Sequence, residues 1–314
     1  MDNFTHSLAG WALGQAGLKT KSRKGLAALI LGANAPDIDV FVQWVSWEPL
    51  ATHRGFTHSL VGGVVILPVM LWGLLLLLDR WQVSRGTTFK SGLALDRKWL
   101  LILCYIGALT HPLLDLQTTY SVQLFAPFSG LWWHTDTLFI IDAVLWTILP
   151  LSIAISRWRE KRGRPWRGAA LAGLSAAFVY LAFNLGLTGA ARAALLQRVP
   201  QATSIFASPP PVLFWRRTLV WREGDRIGRA EFDPLDGNLG PSQPLQPDGM
   251  DDPVVKRALA KSPELRKFMY WSIMPVATVR RDGCAATVNI GDARYGQFGR
   301  RDTRLSRETQ VRIC

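Results

Sequence analysis

His53-Arg54-Gly55-Phe56-Thr57-His58-Ser59-Leu60 leads without a break into the apolar run Leu60–Leu78, LVGGVVILPVMLWGLLLLL. Two imidazoles, a guanidinium and two hydroxyls therefore stand directly ahead of nineteen residues that carry no charge. At about 1.5 Å per residue such a run crosses a hydrocarbon core about 30 Å thick, so it reads as a transmembrane helix with polar chemistry at its mouth. That reading decides the class of the rest of the chain.

Three further apolar stretches follow downstream, from Trp99 to about Thr118, from Leu138 to about Ser156 and from Gly168 to about Ala191. The first of these contains His111 and Asp115, and the second contains Asp142. An ionisable group inside a span is costly unless paired, so each is a candidate functional residue. Upstream, Phe4–Leu18 ends at Gly17 and Leu26–Ala35 ends at Pro36, and both are short enough to be re-entrant or interfacial helices. The N-terminus lacks a basic region ahead of its apolar run, so a cleaved signal peptide is not expected and His6 is expected to be retained.

Composition agrees with a membrane protein: 49% of 314 residues are hydrophobic, with 14 Trp and 14 Phe. The net charge of +13 does not point to nucleic acid, because many of the basic residues fall in short runs between apolar segments. Arg80, Arg85, Lys90, Arg97 and Lys98 follow the first span, Arg157, Arg159, Lys161, Arg162, Arg164 and Arg167 follow the third, and residues 119–137 contain no Lys or Arg. By the positive-inside rule the basic connections are cytoplasmic, and the 53–58 motif, the 119–137 loop and everything after the fourth span lie outside. If the two N-terminal segments form a hairpin, Lys19–Lys24 is also inside, and His6 and Asp37 share the outer face. The three cysteines, Cys104, Cys284 and Cys314, suggest no paired framework and no C-x-x-C motif.

The expected fold is mainly α. Residues 1–198 form a multi-pass helical membrane domain with about four full spans and two short N-terminal helices, and residues 199–314 form a small α+β extracytoplasmic domain. In the latter, Val212–Phe232 broken at Glu223-Gly224-Asp225 predicts a hairpin, residues 233–253 a loop, and Ser262-Pro263 a capped helix to about Tyr270. Two strands should flank Asp282-Gly283, with a last one over 304–313.

All five histidines, His6, His53, His58, His111 and His134, lie in the first 134 residues, near Asp37, Asp39, Asp115 and Asp136. His111 and Asp115 stand four residues apart on one helical face, either as a self-satisfied pair or as two ligands of one cation. Mixed nitrogen and oxygen donors meeting at one membrane face point to a metal centre, with zinc the expected ion.

Thr5-His6, Ala33 to Asp39, His53 to Ser59, His111 to Asp115, Pro127-Phe128-Ser129, Asp136 and Phe139 to Asp142 together resemble the YdjM-type inner-membrane metal-dependent hydrolases of bacteria. That family is distantly similar to the zinc-dependent phospholipases C and single-strand nucleases. Their ligand order is matched by His6, Asp37 or Asp39, His58, and His111 with Asp115. Only His134 and Asp136 remain for a further ion, without helical spacing, which implies two ions. The resemblance implies hydrolysis of a phosphoester, in which zinc lowers the pKa of a water to about 7. Metal ligands are then expected among His6, Asp37, Asp39, His53, His58, His111 and Asp115. Arg54 would anchor a phosphoryl oxygen or neutralise nearby carboxylates, and Asp39 or Asp136 would serve as base or as orienter of a ligand. A site at the membrane surface suggests membrane lipids as partners and a lipid or lipid-linked phosphate as substrate. The rival readings are a transporter using His111, Asp115 and Asp142, and a noncatalytic metal-stabilised scaffold.

Overall fold

The computed structural model describes residues 1–40, 54–236, 238–296 and 306–313, and the chain divides into two compact units, one reaching to Asn184 and the other beginning at Leu185. The first unit is built from helices. α1 (Asn3–Gln15) starts at Asp2, whose carboxylate accepts from the backbone N–H groups of Phe4 and Thr5 and so satisfies two of the orphan donors of the first turn. After a 3-10 turn over Leu18–Thr20 comes α2 (Gly25–Asn34). A Cβ on Gly10 would stand 2.6 Å from the Leu29 carbonyl oxygen and one on Gly14 2.5 Å from the Leu26 side chain, so the pair is an antiparallel hairpin whose backbones approach through glycine.

α2 runs into a 3-10 turn, Ala35–Val40, and a further 3-10 turn, Phe56–His58, is followed by Ser59. The Ser59 hydroxyl accepts from the Gly62 N–H and opens a π-helical stretch, Leu60–Ile66, that continues as α3 (Leu67–Ser84). The remaining helices of the first unit are α4 (Arg97–Asp115), α5 (Leu145–Lys161) and the part of α6 (Arg167–Arg198) up to Asn184. α4 buries Leu100, Leu103, Cys104, Gly107, Ala108, His111 and Asp115, the single stripe that a 3.6-residue period creates. The core of α2, α3 and α4 is Ala28, Leu29, Leu75, Leu100, Leu103 and Cys104. At the basic end, Arg23 makes a two-pronged pair with buried Asp79, at 2.8 and 2.7 Å, so the only carboxylate of α3 is neutralised.

Among the described residues, two helical stretches are long and apolar enough to cross a membrane, Leu60–Ser84 with 25 residues and Arg167–Arg198 with 32. The stretch expected from Leu138 becomes helical only at Leu145. Asp142 lies ahead of that helix instead of inside it, because its carboxylate accepts from the N–H groups of Val144 and Leu145 and from the Tyr180 hydroxyl, at 2.8 Å.

The second unit carries two antiparallel sheets. β1 (Thr203–Ser208), β2 (Arg217–Glu223), β3 (Arg226–Asp233) and β4 (Asn238–Leu239) pair in that order, and β5 (Gln246–Pro247) also pairs with β3. The turn Gly224-Asp225 closes the expected hairpin, with Glu223 opposite Arg226. α7 (Pro253–Lys261) and α8 (Pro263–Trp271) precede the meander β6 (Pro275–Asp282), β7 (Ala285–Asp292), β8 (Ser306–Arg312). α7 lies just past the stretch read as loop, although Asp252-Pro253 carries its signal: Asp252 caps the Val254 N–H and proline takes the first turn. Cys284 is disulfide-bonded, correcting the expectation of unpaired sulfur, whereas Cys104 is a buried free thiol.

Candidate metal centre

Four elements of the first unit each deliver a side chain to one buried point. His6 comes from α1, Asp37 from the 3-10 turn after α2, His58 from the 3-10 turn before α3, and His111 with Asp115 from the end of α4. Every one of these side chains is buried. His111 Nδ1 lies 2.7 Å from the Ala33 carbonyl oxygen, the distance of a donated hydrogen bond, and this turns Nε2 towards Asp37 Oδ1 at 3.5 Å and Asp115 Oδ2 at 3.4 Å. His58 Nε2 faces the same two carboxylates, 3.2 Å from Asp37 Oδ1 and 3.5 Å from Asp115 Oδ2.

His58 Nε2 and Asp37 Oδ1 are close enough for a hydrogen bond, and the three wider separations are those expected of a ligand set. N–H···O bonds centre on about 2.9–3.0 Å. Donors held at about 2.0–2.1 Å around a tetrahedral ion are spaced about 3.3–3.4 Å apart. The four separations among Asp37, His58, His111 and Asp115 run from 3.2 to 3.5 Å, and His111 Nε2 is a buried nitrogen without a hydrogen-bond partner. Two imidazoles and two carboxylates suit zinc or another borderline divalent ion.

The other oxygen of Asp115 faces a second set of groups. Oδ1 lies 3.5 Å from His6 Nε2 and 3.2 Å from Arg54 Nη2, and it also meets the Met1 backbone nitrogen. The His6 ring stacks on His111 with centroids 3.8 Å apart, and neither of its nitrogens has a hydrogen bond. Burial pushes the pKa of His6 down to about 3, which keeps its nitrogens neutral and available to a cation. Burial acts to raise the Asp37 carboxyl, but His111 and His58 outweigh it and hold the group well below the usual carboxylate range. Two three-residue groups have the proximity to hold an ion, His6 with His111 and Asp115, and Asp37 with His58 and His111.

The other expected residues fall differently. Asp39 stands behind His58, with Oδ2 at 3.4 Å from Nδ1 and accepting the Thr57 hydroxyl at 2.6 Å, so it orients the imidazole instead of joining the quartet. Asp136 pairs with His134 Nδ1 at 2.8 Å, and neither belongs to the two groups. His53 lies outside the described residues. Arg54, 4% exposed and at a φ of 69°, is held by Asp115, by the Thr118 hydroxyl at 2.9 Å and by the face of Tyr120. Thr57, Thr118 and the Ala33 carbonyl were not legible as site groups; only the position of Thr57 beside His58 carried a local signal.

No curated protein and no solved structure matches this chain. Residues 1–191, well over half of the chain and all of the residues of the centre, match the family described as YdjM inner membrane protein, and the chain belongs to that family.

Proposed function

We propose that this protein is a membrane-bound metal-dependent hydrolase that cleaves a phosphoester, lipid or lipid-linked, at the outer face of the inner membrane. The observation that carries the reading is the buried quartet of Asp37, His58, His111 and Asp115, at ligand spacing and joined through Asp115 to His6 and Arg54. The quartet would hold one ion, and His6 with Asp115 Oδ1 would supply donors for a second. A divalent ion in such a site supplies Lewis acidity and a water that ionises near neutral pH. Arg54 offers a guanidinium to a phosphoryl oxygen, while Thr118 and Tyr120 keep it in place. Asp39 holds the His58 ring in orientation from behind.

In this reading α4 and α5 join the two long apolar stretches as membrane-embedded helices, with the basic connections cytoplasmic. The disulfide at Cys284 favours an oxidising compartment for the second unit. One observation favours a noncatalytic scaffold: four protein ligands around one ion leave no open position, as in structural sites. The open side would be at His6 and Arg54.

The test is elemental analysis of purified, detergent-solubilised variants beside turnover of a phosphodiester and a phospholipid. His58→Ala and Asp115→Ala are expected to lose metal and activity together. Full metal content in both would overturn the centre and advance the transporter reading, and metal without turnover in the wild type would favour the scaffold.

A further inference from the structure

A second feature of the helical unit lies next to the centre and has no part in ligation. An apolar cavity of about 220 Å³ runs between α1, α4, α5 and α6. On α1 its walls are Ala9 and Leu13, three and seven residues after His6 and so on the same helical face. Leu114 follows His111 by three residues on α4. At about 1.5 Å per residue, the cavity starts within one turn of the ligands and extends about 10 Å away from them, past Leu149 and between Leu174 and Leu181 of α6. Its one polar wall residue, Thr110, donates its hydroxyl to the Gly107 carbonyl at 2.7 Å, which leaves the methyl group for the lining. Leu113 and Phe178, 53% and 72% exposed, stand at the open edge, where hydrocarbon would meet this face in a membrane.

We infer that this cavity holds a hydrocarbon chain of the substrate, so that the phosphoester reaches the metal centre with its tail lying sideways among α1, α4, α5 and α6. The inference rests on the hydrolase reading and narrows its substrate class to long-chain phospholipids or polyprenyl phosphates. Charge complementarity selects this occupant over an apolar molecule without a headgroup. Wall residue Leu114 is followed directly by Asp115, the carboxylate shared by Arg54 and the proposed cation, a set matched to an anionic phosphate, whereas the walls of the groove carry no charge. The cavity is too small for a whole lipid and suits a run of methylenes.

The test is photo-crosslinking in vesicles of phosphatidylcholine carrying the full-length, metal-loaded protein. Three probes bear a diazirine on the chain: phosphatidic acid, a polyprenyl phosphate, and diacylglycerol, which lacks the phosphate. Peptide mapping is expected to place the phosphate-bearing adducts on 113–114, 145–149 or 174–181 and to show few diacylglycerol adducts there. The more efficient of the two phosphate probes identifies the chain type. Filling the cavity with Ala177→Trp should cut these adducts about tenfold, the scale of one overpacked side chain in an apolar site. Ala177→Leu should cut them less, and metal content in both variants reports that the helices remain assembled. Equal labelling by all three probes would mean bulk lipid only and would overturn the inference, as would adducts confined to other peptides. If wild-type protein turns over no phosphoester but the phosphate-selective adducts persist, the hydrolase reading fails and the tail site stands.

Discussion

Two of the imidazoles around Asp115 are fixed by partners behind them, and those partners decide what single substitutions should do. His111 is turned by the Ala33 carbonyl and His58 by Asp39 with Thr57. Asp39→Asn keeps the shape but weakens the acceptor facing His58 Nδ1, and loss of such an outer partner commonly costs about 10–100-fold in affinity. A chelator-competition titration should therefore show weaker metal binding with a site that still fills at excess metal. Asp142→Ala should differ. It removes a cap worth about 1 kcal/mol and the Tyr180 hydrogen bond, so thermal stability should fall while metal affinity stays at the wild-type value. The four-residue spacing of His111 and Asp115 made this pair legible in the sequence, because helical periodicity alone puts both on one face. The choice between Asp37 and Asp39 was not legible, since two residues of a 3-10 turn differ only in the direction in which they leave the backbone.

Among the elements, α2 is the wedge that sets the distance between His6 and His111. A Cβ on Gly10 of α1 or on Gly107 of α4 would meet the same Leu29 carbonyl oxygen, at 2.6 and 2.5 Å, so both helices close on one backbone atom. Gly107→Ala must push α4 away from α2 and carry His111 off the Ala33 carbonyl. Its expected result is a lower melting temperature together with reduced metal content. Gly73→Ala, where an added Cβ meets nothing within 4 Å, should leave both unchanged and serves as the control. Helix existence was readable from apolar runs, and Ser262 capping Leu265 was readable from its proline. The start of α5 was not, because hydropathy treats Leu138–Val144 as continuous with the helix, whereas Asp142 ends the loop by taking the backbone donors for itself.

For the whole molecule, orientation links the chemistry to a compartment. Gly130→Cys is expected to react with an impermeant thiol reagent in intact spheroplasts, and Lys161→Cys only after lysis. The reverse pattern would put the centre on the cytoplasmic side and sever it from any substrate of the outer leaflet. The expectation of this orientation rests on charge distribution alone, on the absence of Lys and Arg from 119–137. The interior of the second unit was less readable. Asp292 is a buried hub that accepts from Ser272, Ile273, Met274 and Arg294. Contacts of that kind join residues twenty positions apart and leave no local period.

The donors at the centre leave the ribosome far apart in time. His6 comes first, Asp37 and His58 follow, and the His111–Asp115 end of α4 completes the set only after more than a hundred residues have been made. Until then no partial set offers the full quartet, and an ion that fastens four separate elements can do so only as a late step of assembly. If an ion is what they hold, its supply in the cell acts on the maturation of the protein as well as on its turnover.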